Sequence, residues 1–344
     1  MCKVHGGGFY TIKNVKEPTM QKIFITVLLL LTLSLQATDA LPSWNEGTSK
    51  QSIINYVTAA TKERTADFIP VKDRIVVFDN DGTLWSERPV YFQLYFAMDR
   101  VKALASEHPE WKTTEPFKSV LENDVNGVMK SGEHGLVQIV NATHSGMDNE
   151  RFKTIVKEWL KTAKHPTSQR AYSELIYQPM MELITYLNMN DFKVYIVSGG
   201  GIDFMRSFIP EVYGIPEEHI IGSSGKVHYK DGQIIKDPAI NYNNDKEAKP
   251  IAIYYAIGKH PVAAFGNSDG DFAMMLYTEA NKKHKTLQLY VHHTDEKREW
   301  AYDRKSHIGK LDKGLDYGKE HNWTIMDMKN DWKVIYPFEL NKKD

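Results

Sequence analysis

The chain of 344 residues carries 43 Lys and Arg against 44 Asp and Glu, for a net charge of −1. That balance, with no long basic block, excludes a nucleic-acid partner and gives no net field to hold a membrane surface. The length allows a core domain plus a second unit. The single cysteine, Cys2, excludes disulfides, thiolate metal sites and cysteine catalysis in any chain processed beyond it.

Residues 1–19 show no periodicity, and Met20 reads as an alternative start. Met20-Gln21-Lys22 opens a short basic region, Ile23–Leu35 is apolar, and small and polar residues follow through Ala40. That layout is a secretory signal peptide, with cleavage expected after Ala37 or Ala40. The apolar run is shorter than the roughly 20 residues a membrane span needs, and an uncleaved anchor is the alternative. The expectation is export, periplasmic or secreted, with no stable membrane association after cleavage.

Residues 41–70 form a lead-in, with a helix predicted over Lys50–Ala60. Arg74–Asp79 then reads as a buried strand that stops on Asp79-Asn80-Asp81-Gly82-Thr83. In an open α/β sheet, ligands bind beyond the carboxyl ends of the strands. Asp-x-Asp there supplies a carboxylate nucleophile, a second acid/base group and a magnesium seat. The bland alternative is a strand followed by an Asp-Gly turn.

From Glu87 to about Tyr186 the period is helical. Tyr91–Glu107 and Met147–Thr162 are the strongest helices, and the block reads as an α-helical cap that excludes water and contacts substrate. Lys193–Val197 is a second strand, ending in Ser198-Gly199-Gly200-Gly201, a hydroxyl and unobstructed backbone N–H groups that suit a phosphate. A hairpin is predicted over Lys226–Ile235, turned at Asp231-Gly232. Lys249 heads a helical run through Ile257, where its ammonium meets phosphate oxygens and Asp79. A third strand, Pro261–Phe265, ends in Gly266-Asn267-Ser268-Asp269-Gly270-Asp271, an oxygen-rich cluster suited to magnesium. A strand at 287–291, a helix at Leu311–Glu320 and a strand-like Trp323–Met328 follow. Strand–helix alternation of this kind requires a parallel sheet with helical crossovers.

These four strand-end clusters, in this order, resemble the haloacid dehalogenase superfamily of aspartate-dependent phosphohydrolases. Val197-Ser198-Gly199-Gly200, the large insertion and the hairpin are most similar to its phosphoserine phosphatase branch. The resemblance implies an α/β Rossmann-like three-layer α/β/α core with a parallel sheet, built from 41–86 and 190–344, with 87–189 as the cap and 1–40 as N-terminal extension and signal peptide. It implies a phosphomonoesterase: Asp79 as nucleophile, Asp81 as acid/base, Thr83, Ser198, Gly199 and Lys249 on the phosphate, and Mg2+ at Asp79, Asp81, Asn267 and Asp271, with Asp269 in reserve. The partner would be a small-molecule phosphate ester. A phosphotransferase to an alcohol acceptor and a poorly catalytic phosphoester-binding protein are the alternatives. Asp81 argues against carbon–halogen cleavage, because dehalogenase members lack that acid/base group.

One departure is Asn267, where the usual motif has aspartate; an amide oxygen ligates magnesium without the charge. Glu87 reads first as a solvated glutamate, with a contact to a substrate ammonium as the alternative. Trp85, Tyr91, Phe92, Tyr95 and Phe96 read as cap core, with a wall for an apolar or cationic leaving group as the alternative. Lys161, Lys164, His165 and Arg170 read as surface, and His292, His293 and Asp295 as hydrogen-bonded structure, each with a ligand-binding role as its alternative.

Overall fold

The computed structural model describes residues 39–341. Cys2 and the expected signal peptide, as far as Thr38, lie outside them. In chain order the helices are α1 (Thr48–Thr61), α2 (Phe92–Leu104), α3 (Phe117–Leu121), α4 (Val125–Lys130), α5 (Gly132–His144), α6 (Asn149–Thr162), α7 (Gln178–Met189), α8 (Ile202–Arg206), α9 (Ile209–Tyr213), α10 (Ala248–Ile257), α11 (Phe272–Glu279), α12 (Lys313–Glu320) and α13 (Met328–Asp331). The strands are β1 (Ile75–Phe78), β2 (Lys193–Gly201), β3 (Ile220–Lys230), β4 (Gln233–Tyr242), β5 (Ala263–Gly266), β6 (Leu287–His292) and β7 (Thr324–Asp327).

The described strands form one sheet in the order β4-β3-β2-β1-β5-β6-β7. All neighbours pair in parallel except the β3/β4 hairpin, which is antiparallel. The whole of β1 is buried. Its Val76 and Phe78 enter one apolar cluster and Val77 the other, so alternate residues serve opposite faces of a sheet covered on both sides. β1 is flanked by β2 and β5, the next core strand and a later one, so the order reverses there. The crevice at such a reversal, outside the carboxyl ends of the strands, is where open α/β sheets bind ligands.

The expected α/β/α core with an inserted helical cap is what the chain forms. Helices α2 to α5 enclose a separate apolar cluster that includes Leu94, Met98, Val101, Trp111, Val120 and Ile139. The last helix of the 87–189 segment, α7, instead lies against β2, burying Met180, Leu183, Ile184 and Leu187 in the sheet's own core. The lead-in is fastened to it: the Trp44 indole donates to Pro179 O at 2.9 Å, and the Ser43 hydroxyl to Glu182 at 2.6 Å.

Two local readings change. Ser198–Gly201 is not a turn after β2 but its continuation, with a register irregularity between Val197 and Gly201 against β3; glycines without side chains let the strand run on into a ligand cleft. The hairpin is longer than predicted, and its Lys236 exchanges backbone hydrogen bonds with Gly146 and Met147 at 2.9 and 3.0 Å, tying β4 to the cap.

Candidate active site

β1 delivers Asp79 to the crevice, and the Asp79 N–H donates to Phe265 O of β5 at 2.9 Å. The chain then turns at once: Leu84 N–H donates back to Asn80 O at 2.8 Å, and Gly82 takes φ +74°. A side chain at Gly82 would overlap the Asn267 amide, so this turn and the loop after β5 interlock only with glycine here. His293, buried at the end of β6, donates from Nε2 to Gly82 O at 2.8 Å and faces Glu299 through Nδ1 at 3.0 Å. It braces the turn, which agrees with its structural reading.

Lys249, in the first turn of α10, bridges two buried acids: Nζ donates to Asp79 Oδ1 at 2.7 Å and to Asp271 Oδ1 at 2.6 Å. Burial alone lowers a lysine, but Asp271 and Asp79 outweigh it and hold the ammonium above the ordinary range. Burial, with Asp271 and then Asp81 adding repulsion against the pull of Lys249, pushes the Asp79 carboxyl up. Burial likewise raises Asp81, a direction that suits a group that must carry a proton.

These residues floor a cavity of about 830 Å³ whose lining includes Asp79, Asp81, Glu87, Ser198, Gly199, Lys249 and Asp271. Most of the expected site is therefore brought to one place. Four residues differ from expectation in what they touch. Thr83 lies beneath the cavity, its hydroxyl 3.4 Å from Asp79 Oδ2 and 3.3 Å from Asn267 Oδ1. Asp271 spends its second oxygen on the N–H groups of Asn267 and Ser268, at 3.0 and 3.1 Å, so both its oxygens are taken by Lys249 and its own loop. Asp269 points away and accepts the N–H groups of Asp312, Lys313 and Gly314 at 2.9 to 3.2 Å, capping α12. Glu87 is buried rather than solvated; its Oε1 accepts from Asn267 Nδ2 at 2.7 Å and from the Tyr302 hydroxyl at 2.8 Å. Burial pushes its carboxyl well up, opposed by those two donors and reinforced by Asp81 and Asp79.

Trp85 is not a cavity wall. It is buried, stacked on Phe208 and edge-on to Phe92, and its indole N–H donates to Asp81 Oδ1 at 2.8 Å. The aromatic stack fixes one oxygen of Asp81 and leaves Oδ2 beside Gly200, at the cavity. We expect Trp85→Phe to lower kcat about tenfold with KM unchanged, the loss of one hydrogen bond to a charged group; steady-state kinetics on a phosphate ester checks the split. The basic residues of the late cap stay out of the site: Arg170 sits over the Phe338 ring, and His165 bonds to Arg88 O at 2.8 Å.

The residues that join cap to core carry no motif. Gly201 N–H donates to Gln93 Oε1 of α2 at 2.7 Å, which leaves Gln93 Nε2 to donate to His144 Nε2 at 3.2 Å. The His144 proton therefore sits on Nδ1, facing the Thr143 hydroxyl at 2.7 Å. Burial, then Lys236 and Arg100, push His144 down to about 3, so it holds this neutral form. Nearby in the same cavity, Lys236 pairs with Asp203 and lies over the Phe152 ring. No local pattern marks these residues, because strand and helix far apart in the chain bring them together.

A family model described as haloacid dehalogenase-like hydrolase matches residues 76–276. Among solved structures, the chain is similar to a protein of unknown function from Bordetella pertussis Tohama I, at 11% identity over 74% of this chain and 98% of that one, with a TM-score of 0.47. It is also similar to a probable phosphoserine phosphatase from Vibrio cholerae, at 14% identity over 77% and 71% of the two chains, with a TM-score of 0.37. A phosphoserine phosphohydrolase-like protein from Francisella tularensis subsp. tularensis SCHU S4 aligns at 15% identity over 63% and 87%, with a TM-score of 0.34. No curated protein matches.

Proposed function

Because the chain belongs to the haloacid dehalogenase-like hydrolase family, we propose that it is an exported, magnesium-dependent phosphomonoesterase working through an aspartyl-phosphate on Asp79. The observation that carries this reading is the Asp79–Lys249–Asp271 array beside Asp81 at the floor of the cavity. Asp79 attacks phosphorus; the new O–P bond forms as the ester oxygen departs. Asp81 protonates that oxygen, then takes a proton from the water that releases phosphate. The Ser198 hydroxyl and the Gly199 N–H hold phosphoryl oxygens, and Lys249 offsets their charge. Thr83 acts from below, on Asp79 and Asn267.

Among the described residues, no three His, Cys, Asp or Glu side chains are arranged to hold a metal ion. The donor set nonetheless fits magnesium, since Asp79 Oδ2 and the amide oxygen of Asn267 both adjoin the Thr83 hydroxyl and hard cations take such oxygens. Held there, magnesium would supply Lewis-acid charge to the phosphoryl group. p-Nitrophenyl phosphate is the test substrate: turnover with magnesium that stops on adding EDTA supports the reading. No turnover of any phosphate ester with any divalent metal overturns it.

Export rests on the 20–40 segment of the sequence. Among the described residues no helix is long and apolar enough to cross a membrane. We expect protein recovered outside the cytoplasm to begin at Thr38 or Leu41 by mass spectrometry. A chain that keeps Ile23–Leu35 overturns this part of the reading.

A further inference from the structure

The exchange of aspartate for Asn267 has a partner in the fold. Asn267 Nδ2 faces Glu87 Oε1 at 2.7 Å, while its Oδ1 is turned to the Thr83 hydroxyl and the Asp79 side. The orientation of the amide is fixed by chemistry, because Glu87 already accepts a hydrogen bond from Tyr302 and can only accept from Asn267 as well. Aspartate at 267 would have no N–H to offer Glu87 at that distance.

Glu87 is built into place. Gly82 and Gly309 both have φ in the left-handed region, +74° and +64°, and a Cβ on either would collide with Glu87 Oε1. Two separate loops thus leave room for this oxygen. Tyr302 stacks on His293, the residue that braces Gly82, so the carboxylate and the turn share one support.

We infer that Glu87 is the positioning residue of the cation site: through its hydrogen bond it holds the Asn267 amide with the nitrogen towards itself and the oxygen turned to Thr83 and Asp79. The inference rests on the magnesium-dependent reading above. Groups that hold metal ligands from behind typically set affinity by about 10- to 100-fold. A pair that works as a unit also shows non-additive substitutions.

The test is calorimetric titration of the purified protein with magnesium chloride alone, without substrate. Glu87→Gln should weaken magnesium binding about 10- to 100-fold. Glutamine donates as well as accepts, so the single variant no longer fixes which way the Asn267 amide faces. The double variant Glu87→Gln with Asn267→Asp keeps a donor–acceptor pair, glutamine donating to an aspartate that presents oxygen either way, and should bind magnesium about as tightly as the unaltered protein. The double variant also keeps the test open if the single substitution unfolds the protein. Unaltered affinity in Glu87→Gln, or a double variant that binds as weakly as or more weakly than the single one, overturns the inference and leaves the phosphatase reading standing. If the unaltered protein itself takes up no magnesium, the magnesium-dependent reading fails and the inference falls with it.

Discussion

Asp79→Asn abolishes hydrolysis while the protein stays folded: kcat is expected to fall by about 10⁴-fold or more, the usual cost of removing a nucleophile. The amide nearly matches the carboxylate in shape and keeps an oxygen toward Lys249 Nζ, 2.7 Å away in the structure. It cannot carry an acyl phosphate. Thermal melting should change little or rise, because burial and the neighbouring Asp271 and Asp81 all disfavour the Asp79 charge. The measurement is turnover of p-nitrophenyl phosphate beside an unfolding curve. Residual activity within about tenfold of the unaltered enzyme would remove Asp79 from the nucleophile's role, since uncatalysed attack by water alone is far slower.

Lys249→Met is expected to damage both chemistry and fold. Its ammonium lies between Asp79 and Asp271, and all three side chains are almost wholly buried. Removing the cation leaves two carboxylates with no compensating charge, and breaking such a buried pair costs about 3–5 kcal/mol. Loss of its charge on the transferred phosphoryl group should lower kcat by about 10²- to 10³-fold in addition. The two effects separate on adding Asp271→Asn: neutralising the orphaned acid should recover stability, read by urea unfolding, without recovering turnover. Recovery of both would make Lys249 a structural residue only.

The strand-end clusters were legible because each begins where an apolar run stops. Asp79 and Asn267 follow directly on β1 and β5, Ser198 follows the apolar run Val194–Val197 within β2, and the order of those segments fixes a parallel sheet that gathers their ends. The cation of α10 was legible for the same reason, as a lone lysine opening a helix. What could not be read was how polar groups divide their bonds once gathered. Asp269 and Asp271 lie two residues apart in one loop. One caps a helix that starts at residue 313 and the other holds a lysine. Glu87 looks like a surface acid beside Arg88 and Pro89, and it is buried by Tyr302 and Gly309 from the other end of the chain. Trp85 belongs to an aromatic stripe, and only the packing of Phe208 against it shows that its N–H is aimed at Asp81. The join between Gln93, His144 and Gly201 has no local signature at all.

The cap on α12 has a consequence for anyone who would dissect this protein. The family match ends at residue 276, and a fragment trimmed near residue 300 would still contain every residue proposed to meet the phosphoryl group. It would lack the helix that Asp269 terminates, the Tyr302 hydroxyl on Glu87, and the Trp332 ring that meets Trp44 edge-on at 5.8 Å. Its loop after β5 would keep Asp271 on Lys249 but lose every bond of Asp269 to residues 310–314. The smallest working unit is therefore set by the scaffolding behind the chemistry and reaches at least to Tyr336, whose hydroxyl bonds to that of Ser86 at 2.8 Å, one residue from the glutamate.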